Sequence, residues 1–212
     1  MNKNYFIILI VTFFCTNSFA QDITPYFTII PDNILGYVNI GLRKDLIDLY
    51  NAKQKAEVRN LLGGTTRLDF MSPEYLKLQL SDKTTMEMRM IQNPDDSTAL
   101  IVVNKTLNTA YPESILSVYA SDWRSLASGN YFEQPALNDF LYDGVTDAEL
   151  AELKRVIPYD NVLIELDSVK NELNVTPQFF QSMSVEDHSR WKDKIINKPV
   201  IYIWKEGRYV KK

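Results

Sequence analysis

A chain of 212 residues with 45% hydrophobic side chains can bury a substantial core, and a formal net charge of −4 with no basic block excludes nucleic acid as its natural partner. One cysteine, Cys15, and one histidine, His188, cannot build a disulfide, an iron–sulfur cluster, a cysteine zinc site or a multi-histidine zinc site.

The N-terminus reads as a targeting segment. Lys3 precedes the continuous apolar run Tyr5 to Phe14, and Ser18-Phe19-Ala20 supplies the small residues of a secretory cleavage site. The run covers about 10 residues, where roughly 20 are needed to cross a bilayer. Residues 1–20 are therefore expected to be a signal peptide, leaving 212 − 20 = 192 residues that begin at Gln21 and lack cysteine. Lys3 is the only charge removed, so the net charge becomes −4 − 1 = −5. Lipidation at Cys15 is the lesser alternative, because the residue before it is the bulky Phe14. An exported protein without disulfides suits a bacterial envelope, and the expected location is the periplasm. No other stretch has bilayer length, so no transmembrane segment is expected after residue 20.

Within residues 21–212 a single α+β domain is expected, with a loose division into 21–122 and 135–212. Gln21 to Ile30 reads as a lead-in, and Pro31-Asp32-Asn33 as a helix start with Ile34, Leu35 and Val38 at helical spacing. Gly41 is expected to end that piece. A longer helix is predicted from Lys44 to Leu62, stopped by Gly63-Gly64 in a left-handed turn, although Lys53-Gln54-Lys55 interrupts its apolar stripe. A short strand is placed at Arg67 to Phe70.

The period then changes to two. Leu76, Leu78 and Leu80 alternate with polar residues, as do Met86, Met88 and Met90, and Ala99 to Val103 is an unbroken apolar run suited to burial on both faces. These three strands form a predicted meander from Tyr75 to Thr106. A three-residue loop, Asp82 to Thr84, is chosen because it sets Leu80, Leu78 and Leu76 opposite Met86, Met88 and Met90; Lys77 then lies diagonal to Glu87 on the outer face. Asn93 to Ser97 is a turn cluster, and Ser114 to Ala120 a further strand.

Trp123 to Gln134 lacks periodicity and reads as an irregular connection, followed by a short helical piece at Ala136 to Leu141. Thr146 with Glu149 forms a capping box for a helix ending before Pro158, and Ser184 with Asp187 opens another. Strands are predicted at Val162 to Leu166 and Glu172 to Val175. A C-terminal hairpin turns at Glu206-Gly207 and pairs Trp204 with Tyr209. The fold class is α+β: an antiparallel meander sheet with helices packed on one face and a C-terminal β-hairpin. Whether the C-terminal strands extend that sheet or form another is open at this level.

No constellation for catalysis stands out. His188 lies in the first turn of a predicted helix and is expected to be solvated, and no G-x-S-x-G elbow is present. Asp95-Asp96, Asp139, Asp143, Asp147 and Asp160 fall in or beside turns, where aspartate serves the local backbone. Gly63-Gly64-Thr65-Thr66 follows a helix and lacks a lysine, so it is not a phosphate loop. No catalytic residue, cofactor or metal is assigned. The three methionines are core, or else the wall of an apolar pocket.

Several stretches resemble a known family. They include Pro31-Asp32-x-Ile34-Leu35, the run Ala56-Glu57-Val58-x-Asn60-Leu61-Leu62-Gly63-Gly64, the strand from Tyr75 to Ser81, and Glu87-Met88-Arg89-Met90. The closing Lys198-Pro199-Val200-Ile201-Tyr202-x-Trp204-Lys205-x-Gly207-Arg208-Tyr209-Val210 belongs with them. Together they are similar to secreted Bacteroidetes proteins grouped as domain of unknown function 3256. The resemblance implies an exported protein of a Gram-negative envelope and carries over no activity.

The expectation is an envelope protein with a non-enzymatic binding or accessory role, its partner an unknown envelope protein or a glycan. Its binding surface is placed at Trp123, Arg124, Tyr131 and Phe132, beside the outer face of the meander, because loops on rigid sheets carry recognition. The alternatives are a carboxylate-dependent hydrolase acting on glycans and a carrier of a small apolar ligand.

Overall fold

A computed structural model describes residues 22–92, 98–157 and 159–212. The expected signal peptide, the turn cluster Asn93 to Ser97 and the helix stop at Pro158 lie outside the described residues.

Three helices open the described chain. α1 (Ile23–Thr28) begins where Asp22 accepts a hydrogen bond from the Thr24 N–H at 2.9 Å, and it buries Ile23 and Phe27 one turn apart. The expected lead-in is thus a helix. α2 (Asp32–Leu35) starts after Pro31, as predicted. α3 (Ile40–Asn51) is capped by the Asn39 side chain, which accepts from the Leu42 N–H at 3.0 Å, so Gly41 lies inside a helix and ends nothing.

The Lys44 to Leu62 helix is corrected. α3 stops at Asn51, Lys53 adopts φ 57°, and β1 (Glu57–Arg59) follows. The polar run 53–55 offers no side chain to extend the buried stripe, so the chain turns there. Gly63, at φ 80°, serves the turn between β1 and β2 (Thr65–Ser72) and caps no helix.

β1 and β2 begin a seven-stranded antiparallel sheet whose order follows the chain. It continues with β3 (Tyr75–Ser81), β4 (Thr84–Gln92), β5 (Ala99–Leu107), β6 (Glu113–Ala120) and β7 (Ser125–Leu126). The predicted register between β3 and β4 is off by two residues: Leu78 faces Met86, Leu76 faces Met88, and Lys77 stands directly across from Glu87. The turn is a two-residue one, with Ser81 paired to Thr84, and a bulge between Gln79 and Ser81 restores leucine-on-methionine pairing. Burial selected the right faces, and the bulge gave them a loop length that regular pairing excludes.

One face of this sheet carries Leu76, Leu78, Leu80, Met86, Met88, Met90, Ile101 and Val103, and it is covered by Ile23, Phe27, Leu35, Val38 and Leu46 of the N-terminal helices. Buried Arg43 fastens this layer. Its guanidinium donates to the carbonyls of Thr28, Ile30, Leu35 and Val38, closing the loop between α1 and α3.

The C-terminal strands form a second sheet. β8 (Val162–Leu166), β9 (Glu172–Pro177), β10 (Val200–Lys205) and β11 (Arg208–Lys211) pair antiparallel in the order β11-β10-β9-β8. The Glu206-Gly207 turn and the Trp204–Tyr209 pair are as predicted, with both turn residues at positive φ. α4 (Asp147–Val156) begins at the expected reciprocal cap, with Glu149 N–H on Thr146 Oγ1 and Thr146 N–H on the Glu149 carboxylate. α5 (Val185–Trp191) begins at Ser184, whose hydroxyl accepts from the Asp187 N–H at 3.0 Å.

The second sheet packs on the face of the first that the helices leave open. Ile164, Leu166, Leu173, Val175 and Tyr202 meet Tyr75, Ile91, Leu100, Val102, Leu116 and Val118, and Phe132, Phe140, Leu153 and Trp191 complete the same core. The meander thus has no outer face over β4 and β5, and the alternation that marked Glu87 and Arg89 as solvated instead points them into the gap between sheets, where both are buried.

Candidate functional site

The inter-sheet layer holds the largest concentration of buried polar groups. Glu87 and Asn104 face one another on β4 and β5, and Ser114 of β6 lies beside Thr106, with 2.7 Å between hydroxyl oxygens. Glu87 accepts from Tyr75 Oη at 2.8 Å, Asn104 Nδ2 at 3.0 Å and the Leu166 N–H at 3.3 Å. Asn104 also donates to the Ile164 carbonyl at 2.7 Å, and Ser114 Oγ accepts from the Ile164 N–H at 2.9 Å. Side chains of the first sheet therefore satisfy the edge of β8, which would otherwise be unpaired. Burial, then the neighbouring Glu87 carboxylate, pushes the Tyr75 phenol well above its ordinary range. Most of the cluster's polar atoms are thus engaged with the backbone of β8, while Asn104 Oδ1 is buried without a partner among the described residues, and the arrangement serves to join the two sheets.

Arg89 does the same for the adjoining turn. It donates to Asn171 Oδ1 at 2.6 Å and to the Asp167 and Val169 carbonyls at 2.8 Å each. The N–H groups of Lys170 and Val169 in turn hold the Asp167 carboxyl below its ordinary range.

The four residues expected to form a binding surface are not brought together. Trp123 is 6% exposed, at φ 65°, with its ring 5.3 Å from Tyr119 in the helix-side core. Phe132 is 4% exposed in the inter-sheet core, edge-on to Tyr202 and Tyr209. Tyr131 is half-buried and stacks on Trp204, while its carbonyl accepts from the Tyr209 N–H at 2.6 Å. Arg124 alone is exposed, 3.9 Å from Asp122. The segment 123–132 attaches the hairpin of β10 and β11 to the body, and its aromatics are spent on packing. His188 is exposed, its ring centroid 4.7 Å from that of Phe180 in an edge-on contact.

A different surface gathers candidate ligand groups. Where β6 begins beside the entry to β8, a cleft of about 520 Å³ is lined by Glu113, Ser114, Ile115, Leu116, Gln134, Tyr159, Asp160 and Asn161. A hollow of about 180 Å³ continues it, sharing Tyr159 and Asn161 and adding Tyr111, Gln178 and Ser182. Tyr159 is 74% and Tyr111 47% exposed, so the rings stand free at the groove. Hydrogen bonds hold the chain beside them: Tyr111 N–H and carbonyl bond to Thr109 Oγ1, Asp160 accepts from the Leu137 N–H at 3.3 Å, and the Asn161 carbonyl accepts from the Gln178 N–H at 3.0 Å. Among the described residues, neither hollow is lined by lysine or arginine. Sequence reading missed this groove because its members, spread from Tyr111 to Ser182, meet only when the second sheet docks. The turn composition around Tyr111 and Tyr159, both next to proline, was the available signal.

A smaller cleft of about 280 Å³ beside β11 is lined by Glu133, Asp139, Tyr202, Arg208 and Lys211 among others. Burial, with Asp139 and Glu133 adding to it, pushes the Tyr202 phenol up to about 12. Among the described residues no group of three or more histidine, cysteine, aspartate or glutamate side chains is placed to hold a metal ion, and no helix is long and apolar enough to cross a membrane.

Residues 15–209 match the family model described as a protein of unknown function, DUF3256. The chain belongs to this family. Among solved structures, a similar fold is seen in a domain of an uncharacterized protein from Porphyromonas gingivalis W83, 22% identical, with 88% of this chain and 96% of that one covered and a TM-score of 0.76. At that identity the likeness establishes the fold alone. No curated protein matches the chain.

Proposed function

We propose that this DUF3256 protein is an exported, periplasmic binding or accessory protein, without catalysis of its own, that takes its ligand in the groove around Tyr159. The observation that carries the reading is the joined pair of hollows, of about 520 and 180 Å³, in which two exposed tyrosines stand beside amide and carboxylate side chains. Export is supported by the N-terminal sequence alone, Lys3 to Ala20. The 123–132 segment contributes through the hairpin it anchors, and of the four residues first expected to bind, Arg124 alone is exposed.

The test uses the full chain with a C-terminal tag, expressed in a Bacteroidetes host, fractionated and recovered with the envelope material it retains. The expected result is release with the periplasmic contents, a mature N-terminus at Gln21, and retained material that is lost in Gln134→Trp, which fills the cleft from an exposed position. A cytosolic chain with residues 1–20 intact would overturn export, and equal retention by Gln134→Trp would overturn the groove.

One observation favours a second reading, glycan hydrolysis: Glu113 and Asp160 line the same open cleft. Release of new reducing ends that disappears in both Glu113→Gln and Asp160→Asn would replace binding with catalysis.

A further inference from the structure

We infer that the occupant of the Tyr159 groove is a neutral saccharide chain; this rests on the groove reading above and narrows it to a ligand class. Four features of the groove carry the inference.

The first is charge. Among the described residues the lining side chains include two carboxylates, Glu113 and Asp160, and no cation, so a phosphorylated or carboxylate-bearing ligand would meet repulsion with no counter-charge. The second is the backbone. A peptide that binds by adding a strand needs free N–H and carbonyl groups at a sheet edge. At β8 the Ile164 N–H is held by Ser114, the Ile164 carbonyl by Asn104 and the Leu166 N–H by Glu87. Strand addition at Ile164 and Leu166 of β8 is therefore closed to a peptide, and recognition on that side falls to side chains.

The third is what those side chains offer. Tyr111 and Tyr159 present rigid rings whose negative faces suit the positive C–H edges of a pyranose, at little conformational cost. Gln134 and Asn161 carry planar amides able to donate and accept, and Asp160 and Glu113 accept; this pattern matches vicinal hydroxyls, which both donate and accept. The fourth is shape. The two hollows share Tyr159 and Asn161 and form one trough, which suits a chain of linked rings better than a single compact molecule. An apolar cargo would leave the amides and acids of an open trough without hydrogen-bond partners.

The experiment is calorimetric titration of the mature chain with cellohexaose, chitohexaose, maltohexaose and xylohexaose, alongside a neutral hexapeptide and a phosphorylated hexasaccharide. The expected result is saturable binding of at least one neutral saccharide, weakened about tenfold by Tyr159→Ala and by Tyr111→Ala and retained by Tyr159→Phe, with unchanged far-ultraviolet circular dichroism in all variants. No binding of any of the four saccharides, binding indifferent to both tyrosines, or preference for the peptide or the phosphorylated probe would overturn the inference. If Gln134→Trp abolishes retention of envelope material while the four saccharides fail to bind, the saccharide class is wrong and the groove stands. If neither is seen, both readings fall.

Discussion

Replacing Glu87 by alanine removes the acceptor at the centre of the inter-sheet layer. Three donors lose it: Tyr75 Oη at 2.8 Å, Asn104 Nδ2 at 3.0 Å and the Leu166 N–H at 3.3 Å. A buried donor left without a partner costs about 1–3 kcal/mol. Asn104 keeps the Ile164 carbonyl, so the loss falls mainly on Tyr75 and Leu166. Lys77, 3.5 Å away and 37% exposed, contributes little, because water screens it and solvates it after the change. Relief of the carboxylate's own desolvation offsets part of the loss. The expected net destabilisation is about 3–5 kcal/mol for Glu87→Ala. Glu87→Gln keeps the shape and one acceptor oxygen, and its expected cost is about 1–2 kcal/mol. Urea titration followed by tryptophan fluorescence measures both, with the slope unchanged if the unfolded state is unaffected. Hydrogen exchange should show the Leu166 amide losing protection ahead of its neighbours. A cost below about 1 kcal/mol for Glu87→Ala would mean that water replaces the carboxylate and that the layer is not dry.

Arg89→Met should lower stability by about 2–4 kcal/mol and speed amide exchange in residues 167–171 by more than elsewhere, because three acceptors of that turn lose their donor; exchange mass spectrometry reads this. Three buried tyrosines, Tyr75, Tyr202 and Tyr209, titrate late: with the folded Tyr202 raised to about 12 against an ordinary value near 10, the folded state holds its proton where the unfolded state has lost it. That contribution is complete below about pH 10 and is lost as pH rises through about 12, and the upward shifts of Tyr75 and Tyr209 act in the same sense. The share of tyrosinate absorbance contributed by these three phenols should therefore rise together with loss of structure, and its appearance near pH 10.5 with structure intact would contradict the burial (roughly half a unit above the ordinary value). Thr146→Ala removes one half of the α4 cap and should cost about 1 kcal/mol in thermal or urea unfolding.

Much of the frame could be read from residues. Period-two alternation located β3 and β4 and assigned their leucines and methionines to one face, and the apolar run at Ala99 to Val103 marked a strand buried on both. Local chemistry placed the caps at Thr146 and Ser184 and the turn at Glu206-Gly207, since each depends on residues within hydrogen-bonding reach along the chain. What failed depended on distant partners. Val58 and Leu61 look helical in spacing, yet Val58 pairs with Thr66, and only the strand beyond makes that profitable. Glu87 and Arg89 look solvated because alternation reports which face a residue takes and not what later covers that face. Trp123 and Phe132 looked available for the same reason, and the groove at Tyr159 was invisible because β6 and the entry to β8 are more than forty positions apart in sequence.

The sealed edge of β8 bears on the order in which the molecule matures. Strands β1 to β7 pair only with chain neighbours, so the first sheet needs nothing beyond Leu126 to form its ladders. Until residue 162 arrives, Glu87, Asn104 and Ser114 face water and are content there. That face is mostly apolar, with Tyr75, Ile91, Leu100, Val102, Leu116 and Val118 awaiting cover, and apolar surface exposed at such a stage invites association. Set among them, a carboxylate, an amide and a hydroxyl hold the positions where Ile164 and Leu166 of β8 will dock. We expect pulse-labelled exchange on refolding to protect amides of β3 to β5 before those of Ile164 and Leu166, and simultaneous protection would show that the two sheets assemble in one step. The half-built protein thus carries, within an apolar face, a small polar template that recognises its own later sequence.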